Sequence, residues 1–332
     1  MSLRTYFRFF AHAQMLPALE SGEETLVGGQ AVMEGVMMRA PHSYCVAVRR
    51  ANGQIATQEM LLARMSEQYP VYRWPVFRGV GILYQALKLG IKALRFSANI
   101  ALEDQAPEQA KGQTSEQAKE PPKWAMAASM LFPLAFFIFL YKFVPLFVVT
   151  KLERFYPELA NRLLFNTADG VLRILIFLGF LLLVSSWKDM RRVWEYHGAE
   201  HKVVFNFESG QPVTVENAQR FTTFHPRCGT SFLLVVMVVS MIVYALVPVD
   251  GFAAKFAARI VLLPVIAGLS YELIRFASKR QGSVLALLTA PGLWLQRITT
   301  KPPADDQTVV AIRALEGAMA LEEKQGGQLV IA

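Results

Sequence analysis

The chain has 332 residues and a formal charge of +8, with 53% apolar residues, 18% charged residues and a mean hydropathy of +0.31. That balance is too apolar for a soluble globule and fits a multi-span protein with the lipid bilayer as its surroundings. The positive charge has no RNA- or DNA-binding signature beside it, so nucleic acid is not expected as a partner. Lys and Arg gathered on the cytoplasmic side of a membrane account for it instead.

In chain order, residues 1–24 form an N-terminal extension in which Arg4 and Arg8 interrupt Tyr6, Phe7, Phe9 and Phe10. It lacks the unbroken apolar run of a secretory signal, which leaves an interfacial anchor helix or a frayed terminus. Residues 25–102 read as a small α+β domain. Tyr44 to Arg50 and Gln54 to Met60 alternate around Asn52-Gly53, a strong hairpin signal. Before them runs Gly28 to Arg39 (GGQAVMEGVMMR), which lacks phosphate-loop spacing. Glu34 and Arg39 within it are expected to form a local ion pair. A helix over 76–102 carries Lys88, Lys92, Arg95 and Asn99 on one face and Leu83, Leu87, Ile91 and Leu94 on the other. Such a helix suits a membrane surface or the protein's own core. Residues 103–123 contain Glu-Gln-Ala-Lys twice and end in Pro121-Pro122, the composition of a flexible linker.

Residues 124–280 read as a four-helix transmembrane domain. Apolar segments at about 124–150, 163–187, 231–249 and 256–277 are each near the roughly 20 residues that a crossing helix needs. Lys142 and Glu272 are the notable charges within them. The loop 188–229 holds Lys188, Arg191, Arg192, Lys202, Arg220 and Arg227, whereas the loop between spans three and four has Lys255 and Arg259. The positive-inside tendency therefore puts loop 188–229 and both termini in the cytoplasm. In 281–332, a short apolar run at 283–295 is expected to lie at the interface or against the bundle, followed by a C-terminal helix near 309–323. The fold class is thus mainly α: a polytopic helical membrane protein of about four spans with a small α+β N-terminal cytoplasmic domain.

Tyr196 to Lys202 (YHGAEHK) places His197, Glu200 and His201 in an H-x-x-E-H frame. With five histidines in the chain, such a frame arises by chance about once per 200 similar chains. His at i and i+4 project from one helix face, close enough to hold a metal, and the intervening Glu can handle a water proton. Trp187 to Phe207 has no proline and can continue helically from the second span, although Gly198 weakens it. Downstream, His225, Arg227 and Cys228 lie at the mouth of the third span. Imidazole and thiolate are good zinc ligands, so the metal candidates are His197, His201, His225 and Cys228, with zinc as the expected divalent metal. Three ligands would leave an open catalytic site, with Glu200 as general base and Arg227 stabilising a developing oxyanion. Four would close the site and make it structural. Glu208 and Glu216 read as solvated charges. Cys45 and Cys228 lie in unlike contexts, which argues for a reducing compartment and against a disulfide.

Together, GGQAVMEGVMMR (Gly28 to Arg39), YHGAEHK (Tyr196 to Lys202), HPRCGTSF (His225 to Phe232) and PGLWLQRITT (Pro291 to Thr300) resemble the YqhQ-like family of bacterial membrane proteins, a domain of unknown function. The resemblance implies a metal-dependent enzyme of the bacterial inner membrane, with the motif residues at His197, Glu200, His201, His225 and Cys228. The frame also resembles that of inverted zinc metallopeptidases. Those have a large soluble catalytic domain and an acidic third ligand, neither of which is evident here. Two functions compete: a metal-dependent hydrolase at the cytoplasmic face, and a non-catalytic subunit or assembly factor docking a membrane-complex partner. A transporter is disfavoured by the sparse intramembrane charge and the lack of an internal repeat.

Overall fold

The computed structural model describes residues 27–63, 65–105, 123–226, 228–278 and 290–324. The 1–24 extension, most of the 103–123 linker, Arg227 and the first part of the 283–295 run lie outside the described residues.

Strands β1 (Gly28–Val32), β2 (Gly35–Arg39), β3 (Ser43–Arg49) and β4 (Ile55–Leu61) form an antiparallel meander in sequence order. The expected hairpin closes β3 onto β4, with Gly53 at φ +85° and the Asn52 side chain accepting from the Gln54 N–H at 3.0 Å. The apolar runs of β2 and β3 are buried on both faces, because successive side chains point to opposite sides. Val36, Met38, Cys45 and Ala47 enter one core, and Met37, Tyr44, Val46 and Val48 enter another.

The second of these cores is closed by α1 (Phe77–Gln105), through Leu89, Ala93 and Ile100. This fixes the phase of the predicted amphipathic helix. Leu83, Leu87 and Leu94 do not pack inward; they are exposed, and the buried face lies about a quarter-turn away. At its start α1 crosses another helix through two glycines, Gly79 and Gly268, and Arg78 forms a bidentate pair with Glu272. Glu272 is therefore the anchor of α1 and not an isolated charge.

α2 (Lys123–Ile138) runs through a π-turn at Phe139–Phe143 into α3 (Val144–Leu152). With α4 (Arg162–Ser185) and α7 (Gly229–Leu246), the Leu131–Leu152 stretch gives three helices long and apolar enough to cross a membrane. A fourth arises if α8 (Phe252–Val261) and α9 (Leu263–Ser278), bent by 50° between Val261 and Leu263, form one broken span. Pro264 sits just inside the second half, where it cannot donate a backbone bond to the preceding turn. Among the described residues the chain is therefore mainly helical, with one small antiparallel sheet.

The helix expected over Trp187 to Phe207 is present as α5 (Lys188–Glu208) and is followed by the short α6 (Val215–Gln219). Three other expectations change. α5 does not continue α4, because the backbone turns extended at Trp187 (ψ 134°) and starts a new helix. Arg259, counted as a loop charge, is buried within the bundle beside Asp169 and Arg173. Finally, Glu34 and Arg39 do not pair. Glu34 accepts from Arg192 on α5, and Arg39 donates to Gln85 on α1.

The C-terminal segment contributes α10 (Ala290–Thr299), which packs along α7 with Gly292 against Ser231, and α11 (Asp305–Lys324). Val310, Ala311, Ala314 and Leu315 of α11 share the first core with Tyr196, Ala199 and Val203 of α5. The sheet thus ties both ends of the chain to α5.

The phase of α1 gives a direct prediction. Leu89 is 3% exposed and Leu87 is 63% exposed. Leu89→Ala should lower unfolding stability in detergent by about 2–5 kcal/mol, and Leu87→Ala by less than about 0.5 kcal/mol. Equal losses would show that α1 packs in a different phase.

Candidate metal centre

The H-x-x-E-H segment lies in the middle of α5, and its His pair meets the residue that opens α7. His Nδ1 or Nε2 of His197 and His201, and Sγ of Cys228, lie within 4.8 Å of one another. The two imidazole centroids are 4.4 Å apart, and Cys228 Sγ is 3.3 Å from His197 Nε2. His201 and Cys228 are buried and His197 is partly so. Cys228 is the N-cap of an 18-residue helix, where free backbone N–H groups favour a negative ligand.

The ring orientations are set by backbone carbonyls. His197 Nδ1 lies 2.7 Å from the Thr299 carbonyl, and His201 Nδ1 lies 2.5 Å from that of Thr223. A carbonyl only accepts, so each Nδ1 must carry the proton and each Nε2 keeps its lone pair. Metal-binding histidines use this arrangement, in which the outer hydrogen bond fixes tautomer and ring angle.

Each carbonyl is itself held by the motif. Lys202 Nζ donates to the carbonyls of Gln219 and Phe221, both at 2.7 Å, and so pins the loop that delivers Thr223. Gly198 lets the chain after α10 pass against α5. A Cβ there would overlap the Lys301 carbonyl oxygen, and the Lys301 N–H donates to the Trp194 carbonyl at 2.9 Å. The glycine that weakens the helix in sequence is what brings Thr299 within reach of His197.

Glu200 is 6% exposed, with Oε2 3.4 Å from His201 Nε2. Its side chain passes over Gly29 of β1, where a Cβ would lie only 2.6 Å from Glu200 Cγ. His225 sits beside the His/His/Cys group but is not part of it. Its ring packs against His201 (5.6 Å) and Phe205 (4.4 Å), with Nε2 3.5 Å from Glu208 Oε2. Gln296 grips the His225 peptide, accepting from its N–H and donating to its carbonyl, both at 2.7 Å. Glu208 is thus drawn to a buried histidine, whereas Glu216 is exposed and pairs with Arg220. Arg227 lies outside the described residues.

Of the residues singled out in the sequence, the fold brings His197, His201 and Cys228 together with Glu200 beside them, and it adds Lys202, Thr223, Gln296 and Thr299, which the sequence did not mark. Backbone carbonyls leave no trace in residue identity. Only the proximity of PGLWLQRITT to the motif in the fold explains why Gln296 and Thr299 matter.

Burial lowers the pKa of His201, and it pushes His225 down to about 4 against a smaller opposing effect of Glu200. Both rings are neutral near pH 7, as metal ligation or metal-site packing requires.

The chain matches the family described as "Protein of unknown function (DUF1385)" over residues 74–321. It is 36% identical over 301 residues to "Uncharacterized protein YqhQ" of Bacillus subtilis (strain 168), covering 89% of this chain and 92% of that protein. No solved structure matches it.

Two predictions follow from the geometry. Gly198→Ala should displace the 299–301 segment from α5, release the His197 ring and weaken metal affinity about 10–100-fold; competition with a chromogenic chelator would measure this, and unchanged affinity would contradict it. An unfolded histidine titrates near 6.5, so between about 6.5 and 4 the unfolded chain binds the proton that folded His225 refuses. The stability is fully present above about 6.5 and falls as the pH drops toward 4. Thermal midpoints should decline across that window, and less steeply in His225→Gln; identical slopes would exclude His225 as the cause.

Proposed function

The chain belongs to the DUF1385 family of proteins of unknown function, and from that premise we propose that it is an integral inner-membrane protein carrying a divalent-metal site of the zinc class, with hydrolytic chemistry. The reading rests on one observation: two histidines one helical turn apart, each with Nδ1 committed to a backbone carbonyl, presenting Nε2 beside a cysteine sulfur. Two nitrogens and one thiolate match the ligand set of open zinc sites, which leave one position for solvent or substrate.

A divalent ion bound there would supply Lewis acidity. The remaining work belongs to the chain's own residues. His197, His201 and Cys228 hold the ion, and the carbonyls of Thr299 and Thr223 keep the rings from rotating. Glu200, within 3.4 Å of His201 Nε2, accepts a proton from solvent at Oε2 and returns it to a leaving group. The Gly29 backbone and the packed faces of β1 and α5 hold that carboxylate out of bulk water. The substrate would approach from the end of the bundle where α4 ends and α7 begins. The positive-inside tendency supports a cytoplasmic position for that end, and for both termini.

A second reading draws on the exposed Leu83, Leu87 and Leu94 of α1, flanked by Lys88, Lys92 and Arg95. That surface suits an anionic membrane interface or a docked membrane-protein partner. In this reading the metal is structural.

Metal analysis of protein purified without chelator should find about one zinc per chain in the wild type and in Glu200→Gln, and little in His197→Ala. A metal-free wild type would defeat the proposal. If Glu200→Gln keeps its metal yet fails to complement a strain lacking the gene, the hydrolytic role is supported. Full complementation would favour the accessory reading.

A further inference from the structure

At the other end of the same helices lies a second polar site that the metal chemistry does not use. The metal cluster sits where α4 ends and α7 begins, whereas this site sits where α4 begins and α7 ends. Asp169 and Arg173 of α4 and Arg259 of α8 are almost completely buried. One Asp169 oxygen pairs with Arg173 and lies 3.4 Å from Arg259. Two guanidiniums therefore share one carboxylate, leaving a buried excess of positive charge before Lys142 is counted. Lys142 lies 3.3 Å from the Tyr244 hydroxyl, and its ammonium group and both guanidiniums are 5.0–5.6 Å from the centre of the Tyr244 ring.

The cluster is not internally satisfied. Arg173 Nε, Arg259 Nε and Asp169 Oδ1 are buried without hydrogen-bond partners. Unsatisfied charged groups in a helical bundle of this apolarity are costly and mark a functional site more often than a structural one. Arg259 also forms a wall of a cavity of about 270 Å³, with Phe165, Asn166 and Tyr244 among its other buried walls. Toward solvent the same cavity is lined by Lys255 and Arg162, with Glu153 and Asp250 at the rim. Arg259 donates to the Lys255 carbonyl and to Asn166 Oδ1; a buried guanidinium in the cavity wall, an excess of positive charge behind it and the cations Lys255 and Arg162 toward the opening suit an oxyanion.

We propose that this cavity binds a phosphate-class anionic group, with Arg259 and Lys255 as its direct ligands and Arg173 supplying charge from behind. The group comes either from a phospholipid headgroup entering between the helices or from a free phosphate. Either source offsets the same buried charge, and neither depends on the metal site.

The test uses the full chain in nanodiscs and reads the thermal unfolding midpoint. Inorganic phosphate is titrated into nanodiscs of zwitterionic lipid; separately, phosphatidylglycerol is titrated into the lipid mixture, with chloride at matched ionic strength as control. The wild type should be stabilised saturably by at least one probe and not by chloride. Stabilisation by phosphatidylglycerol alone would assign the site to a headgroup, and by phosphate alone to a free oxyanion. Arg259→Gln should weaken the apparent affinity about tenfold or more. Should Arg259→Gln fail to fold, Lys255→Gln, on the open side of the cavity and outside the buried cluster, must also bind measurably more weakly. No saturable stabilisation by either probe, an equal effect of chloride, or unchanged affinity in Lys255→Gln would overturn the proposal.

Discussion

Two backbone carbonyls, those of Thr223 and Thr299, set the orientation of the two histidines on which the rest of the candidate site depends. Each takes the Nδ1 proton of one histidine, and by doing so turns the Nε2 lone pair of both toward Cys228. A histidine pair at i and i+4 is common enough on helices that it means little alone. Fixed tautomers facing a thiol mean much more, since the outer hydrogen bond is what makes an imidazole a committed ligand. The neighbouring packing serves these two contacts. Lys202 holds the loop before Thr223, Gly198 admits the segment after Thr299, and Gln296 grips the His225 peptide.

The site is also where distant parts of the chain are tied together. Gly29 of β1 makes room for Glu200, and Glu34 from the following turn accepts from Arg192 and Tyr196 on α5. The sheet is covered on one side by α5 and α11, and on the other by α1, which is itself pinned to the bundle through Arg78 and Glu272. At the far end of α4 and α7, the Asp169–Arg173–Arg259 cluster sets a second polar centre in the same two helices. One pair of helices thus has a polar cluster at each end.

Much of this was legible in the residues. Period-two alternation around Asn52-Gly53 gave the hairpin, and long apolar runs gave the candidate spans. The H-x-x-E-H frame and Cys228 pointed to the cluster that the fold assembles. The failures have physical reasons. The helical face of α1 that buries Leu89, Ala93 and Ile100 is no more apolar than the face carrying Leu83, Leu87 and Leu94, so pattern alone could not choose between them. Arg259 stands only eight residues past Gly251 and looks like a loop charge; its burial depends on Asp169, ninety residues away. The carbonyls of Thr223 and Thr299 carry no side-chain signature, and Gly198 reads as a flaw in a helix until the Lys301 backbone is seen against it.

The central claim is that His197, His201 and Cys228 bind one metal ion together. Cobalt(II) substitution tests it most directly, because a cobalt–thiolate bond produces a near-ultraviolet charge-transfer band and tetrahedral coordination produces intense visible bands. The account predicts both in the wild type, with loss of the charge-transfer band in Cys228→Ser. A cobalt-loaded protein without that band, or with the same band in Cys228→Ser, would contradict it.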